Sequence, residues 1–303
     1  MTRLLLSFLL AAGAAVPGHA QQQEPAPADA QSGTIVVQGQ RTSGKTIDNF
    51  VLDLTPAPFG GQLGRFEDPV CPVVLGMPAR EGQLVQDRLR QVAGAVGMKT
   101  APAKCVPNLY VLIGRNKKEV IEGLDRKFPA LLTGLSRREI GAMKEVPGPA
   151  VSWQILDRIG ADGMPLAVAR MGADAEPVRI VRGVGAISRI SALTKVKFVA
   201  SLIMFEAPAL DGVTTRQLAD YTAMRTFAAT DPARGGRLPA TSILELFGPG
   251  AEPADAPPSV TWWDYAFLKS LYASSTELTA TAQRREMKHI VAKELSKVPP
   301  EEQ

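Results

Sequence analysis

A strand-helix-strand unit in the first half of the chain constrains the fold most. Two short apolar runs, 72–77 and 108–114, flank a stretch at 80–96 that has helical periodicity. Five apolar residues of that stretch fall on one stripe: Leu84, Val85, Leu89, Val92 and Val96. Asp87, Arg88 and Arg90 are placed off it. Because a helical crossover of this length joins parallel strands, the sequence predicts a βαβ unit with two buried, parallel strands.

The rest of the chain mixes helical and strand patterns. Residues 116–145 are predicted to be helical, with a break at Pro129 and a capping box formed by Ser136 and Glu139. Thr46–Leu54 is compatible with a helix or an extended entry segment. Strands are expected at 151–157, 177–182 and 196–205, a turn at 161–163, and helices at 210–229 and from Thr261. The predicted fold is α+β, with a mixed sheet and packed helices.

The first twenty residues have the composition of a secretory leader. Arg3 precedes a short apolar core, and Gly18-His19-Ala20 provides a small-x-small cleavage site. The mature protein is then expected to begin at Gln21, in the periplasm, with no transmembrane segment after cleavage. This address excludes cytosolic chemistry that depends on ATP or NAD. We divide the chain into a signal peptide (1–20), a flexible linker (21–45), one α+β domain (46–275) and a C-terminal helical tail (276–303).

The two cysteines, Cys71 and Cys105, both lie in the mature protein. An isolated pair in an exported protein is most simply one disulfide. The pair lacks the Cys-x-x-Cys spacing of redox-active sites, which favours a structural bridge.

Charge and histidine content exclude several functions. Removal of the leader leaves 33 basic and 30 acidic residues, a small net charge that does not predict nucleic-acid binding. His289 is then the only histidine, on an apparently exposed helix. A usual zinc site needs several His or Cys ligands, and a Ser-His-Asp triad needs a histidine next to its nucleophile. We therefore predict no metal and no cofactor.

Other motifs each have two interpretations. The glycines at 183–188 are compatible with a dinucleotide loop or, more simply, with a turn between strands. The carboxylates of Asp220, Glu206 and Asp264 could form an acid/base pair if the fold brought them together. Asp264 also fits a capped first turn that begins at Thr261. The adjacent tryptophans at 262 and 263 could form a binding platform, although at least one is expected in the core.

Two stretches resemble known families. Residues 33–41, GTIVVQGQR, resemble the TonB box of outer-membrane receptors, which implies an envelope-protein partner for Thr34–Arg41. The alternatives are a linker or a strand on the protein's own sheet.

The second resemblance extends over 50–272. The order of a helix, a Ser-Ile-x-x-x-Phe segment and an Asp-bearing helix in 210–272 resembles an uncharacterised family of exported bacterial proteins with a metalloprotease-like fold. Asp220 and Thr222 would stand at polar positions of that family's metal-binding helix. Its ligand positions would be Ala219 and Ala223, and a methyl group cannot coordinate zinc. The resemblance therefore implies the scaffold without its metal.

Three functions are consistent with these observations. The first is a non-catalytic periplasmic binding or envelope-interaction scaffold. The second is a hydrolase that acts on an envelope polymer through Asp220, Glu206 or Asp264. The third is an accessory of the outer-membrane uptake machinery that binds through residues 34–41.

Overall fold

A parallel βαβ unit forms one half of a four-stranded mixed sheet in a computed structural model. The model describes residues 43–55, 61–170, 172, 176–180, 192–230, 238 and 241–298. The predicted leader, the TonB-box-like segment and the glycine motif at 183–188 lie outside the described residues.

The described residues form an α+β fold, in which helices and strands are mixed along the chain. Within the described ranges the elements are, in chain order, α1 (Gly44–Leu54), β1 (Pro72–Leu75), α2 (Ala79–Ala95), β2 (Leu109–Gly114), α3 (Lys117–Lys127), a 3₁₀ helix (Pro129–Leu132), α4 (Arg137–Lys144), β3 (Ala150–Gly160), β4 (Ala167–Ala169), β5 (Val178–Ile180), β6 (Thr194–Glu206), a 3₁₀ helix (Ala207–Leu210), α5 (Thr215–Thr226), a 3₁₀ helix (Ile243–Phe247), α6 (Trp262–Ala273) and α7 (Ala280–Leu295).

The main sheet has the strand order β1-β2-β6-β3. Strands β1, β2 and β6 are parallel, as predicted for the first two, whereas β3 runs antiparallel to β6 along eleven paired residues. Because side chains alternate across a strand, the sheet buries apolar residues on both faces. On β6, Ile203 and Phe205 face one core and Leu202 and Met204 face the other.

Helices cover both faces of this sheet. The larger core lies between the sheet and α1, α2, α5, α6 and α7, and the smaller core lies beneath α3 and α4. Helix α7 contributes Met287 and Val291 to the larger core, so it packs with the helical layer. Helix α4 begins at the predicted capping box, in which Ser136 and Glu139 satisfy each other's backbone N–H groups.

The stripe predicted for α2 was wrong at two positions. Leu84 is 51% exposed, whereas Arg88 is only 9% exposed and lies between Val85 and Leu89 on the buried face. Arg88 is three residues after Val85 and four before Val92, so it shares their side of the helix. An ion pair described below allows this cation to be buried.

The disulfide joins the segments that precede the parallel strands β1 and β2. The sulfurs of Cys71 and Cys105 are bonded, and their Cα atoms are 6.1 Å apart. Cys71 directly precedes β1, and its carbonyl accepts hydrogen bonds from the backbone N–H groups of Asn108 and Leu109 at the start of β2. The predicted pairing is thereby confirmed. No helix among the described residues is long and apolar enough to cross a bilayer.

A second, two-stranded sheet projects from the end of the β3–β6 pair. Strand β3 ends in the predicted turn, where Gly163 has a φ of +84° and its N–H donates to the carbonyl of Gly160. Strands β4 and β5 then pair with each other in antiparallel register. We call this two-stranded sheet, residues 164–170 and 176–180, the ribbon.

Candidate functional site

Helix α5 lies in the interior of the protein and carries Asp220 together with the positions that the metalloprotease resemblance singled out, Ala219, Thr222 and Ala223. Every residue from Gln217 to Thr226 is buried. Its N-terminus is capped by Thr214, which forms a capping box with Gln217. Because water cannot solvate polar groups at this depth, each of them needs a partner within the protein.

Asp220 finds its partners on α2 and on the segment that precedes α6. Arg88 donates two hydrogen bonds to its carboxylate, at 2.7 and 2.9 Å. The hydroxyl of Ser259 donates at 2.8 Å and the N–H of Val260 at 2.9 Å. The side chain of Asp220 is 0% exposed. A carboxylate with four donors and no access to solvent clamps α5 to its neighbours, and it has no free face for a substrate.

Asp264 occupies the third position of α6 and is equally buried. Its carboxylate accepts from the hydroxyl of Ser242 at 2.5 Å, and from the backbone N–H groups of Ile243 and Thr261 at 2.9 Å each. In return Asp264 donates its own N–H to the hydroxyl of Thr261, which completes the capping box predicted from the sequence. Burial raises the pKa of Asp264 to about 6, and the hydrogen bonds from Ile243, Ser242 and Thr261 partly oppose that rise.

The two aspartates bind neighbouring residues of one short segment. Asp220 accepts from Ser259 and Val260, and Asp264 accepts from Thr261. Two of the three predicted carboxylates, those of Asp220 and Asp264, thus accept from the consecutive N–H groups of Val260 and Thr261 and hold the start of α6 against α5 and the 3₁₀ helix at 243–247. Both are used as structural acceptors.

Glu206 is bound elsewhere. It ends β6, where its carboxylate accepts a 3.0 Å hydrogen bond from the N–H of Lys117 at the start of α3. The positive end of the α3 dipole stabilises a carboxylate at this position. Among the described residues, no hydrogen bond connects Glu206 to Asp220 or Asp264.

The positions that the metalloprotease resemblance assigned to metal ligands lie in the packed core. Ala219 and Ala223 are both 0% exposed and belong to the larger core. Thr222 is also buried, and its hydroxyl oxygen has no hydrogen-bond partner. Within the described ranges, no group of three His, Cys, Asp or Glu side chains could hold a metal ion. His289 lies on the exposed side of α7.

A buried arginine at the end of α5 was missed by the sequence analysis. Arg225 is 3% exposed and donates to the hydroxyls of Tyr221 at 3.0 Å and Ser152 at 2.9 Å. Its Nε atom is buried without an acceptor. The guanidinium carbon lies 5.7 Å from the centre of the Tyr221 ring, so a cation–π contact supplies part of the missing compensation. The sequence signal for its burial was its position one helical turn after Tyr221, within a stretch predicted to be helical.

Tryptophan packing favours the core interpretation. Trp263 is 2% exposed, and its ring centre lies 4.9 Å from that of Phe50 on α1. Trp262 is half-buried against Tyr265, with the ring centres 5.6 Å apart.

The ribbon exposes several large apolar side chains. Four of its large apolar side chains are exposed: Met164 (63%), Val168 (63%), Val178 (51%) and Ile180 (42%). Arg179, the middle residue of β5, joins the ribbon to β3 through an ion pair with Asp157. A cluster of exposed apolar side chains on a projecting element is typical of an interaction surface.

No family model, curated protein or solved structure matches this chain.

Proposed function

We propose that this chain is an exported, non-catalytic protein that acts by binding another component of the cell envelope, and that the ribbon is its contact surface. The observation that carries the proposal is the exposure of Met164, Val168, Val178 and Ile180 on one small element. Exposed apolar groups lower the solubility of a protein, so a concentrated set of them is usually kept for a partner.

The state of the carboxylates supports a role without catalysis. General acid/base chemistry needs a group within hydrogen-bond reach of the substrate. Asp220 and Asp264 are 0% exposed and are saturated by internal donors. Glu206 is committed to the start of α3. The alternative of a carboxylate-dependent hydrolase on an envelope polymer consequently has less support than binding.

The cellular location in this proposal depends on the predicted leader. A disulfide in the folded domain and the absence of a membrane-spanning helix among the described residues are compatible with export. Descent from a metalloprotease-like scaffold and an uptake partner for residues 34–41 also stay predictions.

Fractionation of cells tests the proposal. The protein is expressed in three forms: wild type, Val178→Ser/Ile180→Ser in the ribbon, and Leu52→Ser/Leu84→Ser on helices α1 and α2. The control pair is matched in exposure, because Leu84 and Leu52 are 51% and 42% exposed, as are Val178 and Ile180. We expect wild type and the control to be recovered with the envelope, and the ribbon variant to move to the soluble fraction.

Equal recovery of all three forms with the envelope would overturn the assignment of the ribbon as the contact surface. Recovery of wild type in the soluble fraction alone would overturn the proposal as a whole.

A further inference from the structure

Arg225 carries a buried positive charge that no described carboxylate balances. The residue is 3% exposed, and its guanidinium group donates to two neutral acceptors, the hydroxyls of Tyr221 and Ser152. An arginine side chain keeps its charge inside a protein, and a buried charge without a counter-charge is costly. The buried guanidinium of Arg88, by contrast, has the carboxylate of Asp220. The described surroundings of Arg225 therefore lack one negative charge.

Two weaker contributions offset part of this charge. The guanidinium carbon lies 5.7 Å from the centre of the Tyr221 ring, and Arg225 belongs to the last turn of α5, where the helix dipole is negative. That end of the dipole is equivalent to about half an elementary charge. Neither contribution supplies an acceptor for the Nε–H group of Arg225, which is buried and bonds to no described protein atom.

A second buried polar group stands at a neighbouring position of α5. The hydroxyl of Thr222 bonds to no described protein atom either, and Thr222 is 0% exposed. Residues three or four apart are neighbours on a helix surface, and long side chains lean back over the preceding turn. The 3.0 Å bond from Nη1 of Arg225 to the hydroxyl of Tyr221 shows that the arginine side chain leans in this direction. The Nε–H of Arg225 and the O–H of Thr222 are thus two donors on one side of α5 that share the lack of an acceptor.

The sheet holds this cluster in place. Nη2 of Arg225 donates to the hydroxyl of Ser152 on β3 at 2.9 Å. The side-chain amide of Gln154, two residues further along the same strand, donates to the backbone carbonyl of Arg225 at 3.2 Å. Because residues two apart lie on one face of a strand, both contacts fix the end of α5 on the same face of β3. A ligand of this cluster would therefore meet donors that are already ordered, which lowers the cost of binding.

We propose that the protein binds one chloride ion, which accepts hydrogen bonds from the Nε–H of Arg225 and the O–H of Thr222. A single small anion supplies the negative charge and accepts from both donors. A water molecule would accept the two hydrogen bonds but would leave the charge uncompensated. A phosphate or a carboxylate ligand has further oxygen atoms, and each of them would need its own donor in this buried site. The site lies on α5 and β3, so the proposal is independent of the ribbon.

Urea unfolding at constant ionic strength tests the proposal. Sodium chloride replaces sodium gluconate in steps, because gluconate is too large for the buried site. Since the ion binds the folded state, each tenfold rise in chloride above the Kd should raise the folding equilibrium constant of wild type about tenfold. Arg225→Met should lose this rise, because methionine has no group that donates to an anion. General effects of the salt on folding are common to both proteins.

Two buried threonines of α5 provide a matched pair. Thr226 is as buried as Thr222, but its hydroxyl already donates to the carbonyl of Thr222 at 2.7 Å. Thr222→Val should weaken the binding of chloride at least roughly tenfold, because a hydrogen bond to a charged group is lost. Thr226→Val should retain the chloride dependence of wild type. This pair decides the question even if Arg225→Met does not fold.

Anomalous diffraction from crystals grown in sodium bromide locates the ion directly. We expect a bromide peak in contact with Nε of Arg225 and Oγ1 of Thr222. A water molecule at that position without an anomalous peak would overturn the proposal. A bromide peak without chloride-dependent folding would mean binding at crystal concentration only, and would overturn it as well. The same holds for a chloride dependence that is equal in wild type and Arg225→Met, or in the two threonine variants.

Discussion

Arg88 of α2 and Asp220 of α5 form a buried, bidentate ion pair that joins the two helices. Their two hydrogen bonds measure 2.7 and 2.9 Å, and their side chains are 9% and 0% exposed. The pair joins residues that are 132 positions apart in the chain. Removal of either partner would leave a buried charge without compensation, which costs far more than the loss of a surface pair.

We therefore expect Arg88→Ala to lower the free energy of unfolding by about 3–5 kcal/mol. The control is Arg137→Ala, which removes an exposed ion pair with Asp125 and should cost less than about 1 kcal/mol. Urea unfolding of both variants measures the difference. Similar losses in the two variants would show that the Arg88–Asp220 pair does not clamp the helices.

Asp264 should make stability depend on pH. Its folded-state pKa is about 6, above the 3.8 of an unperturbed aspartate, so the folded state holds the proton more tightly. The resulting stabilisation is fully present below pH 3.8 and is lost as the pH rises through about 6. The shift corresponds to at most roughly 3 kcal/mol.

The Asp264→Asn variant isolates this effect. Between pH 4 and pH 7, the free energy of unfolding of wild type should fall relative to that of the variant. The difference removes the contribution of other carboxylates, which titrate in both proteins. Parallel curves would contradict the raised pKa.

The disulfide should stabilise the βαβ unit through its unfolded state. Cys71 and Cys105 are separated by 34 positions, and closure of a loop of this size is worth about 3–4 kcal/mol in the chain-entropy model. Reductant should therefore lower the urea midpoint of wild type. The Cys71→Ser/Cys105→Ser variant should have the lower midpoint from the start and show no response to reductant.

Arg225 should behave differently from Arg88, although both are buried. Arg225 has hydroxyl acceptors and an unpaired Nε atom, but no carboxylate partner among the described residues. Arg225→Met keeps the volume and relieves an uncompensated charge, so we expect a change in unfolding free energy within about 1 kcal/mol. A loss as large as that of Arg88→Ala would show that the hydroxyls of Tyr221 and Ser152 compensate the charge fully.

Local signals predicted most of the secondary structure. The capping boxes of Ser136 with Glu139 and of Thr261 with Asp264 involve residues three positions apart, so the sequence alone was sufficient to find them. Strands β1 and β2 were predicted because each is a short apolar run on either side of an amphipathic helix. Strand β4 was missed, since two of its three residues are alanines, which have a low preference for strands.

Long-range contacts explain the remaining errors. Arg88 was predicted to lie off the apolar stripe of α2, and its partner Asp220, 132 residues further along the chain, could not be inferred from the sequence. In the same way, Asp220 and Asp264 were recognised as notable carboxylates, but the donors from Ser259, Val260 and Ser242 depend on tertiary packing.

A photo-reactive amino acid incorporated at position 178 or at position 84 in living cells tests the binding role of the ribbon most directly. The natural residues are both 51% exposed, so in the free protein the two sites have equal access to solvent. If the ribbon is the contact surface, irradiation will attach an envelope lipid or protein at position 178 and nothing specific at position 84. Equal labelling of the two positions, or no adduct at position 178, would contradict it.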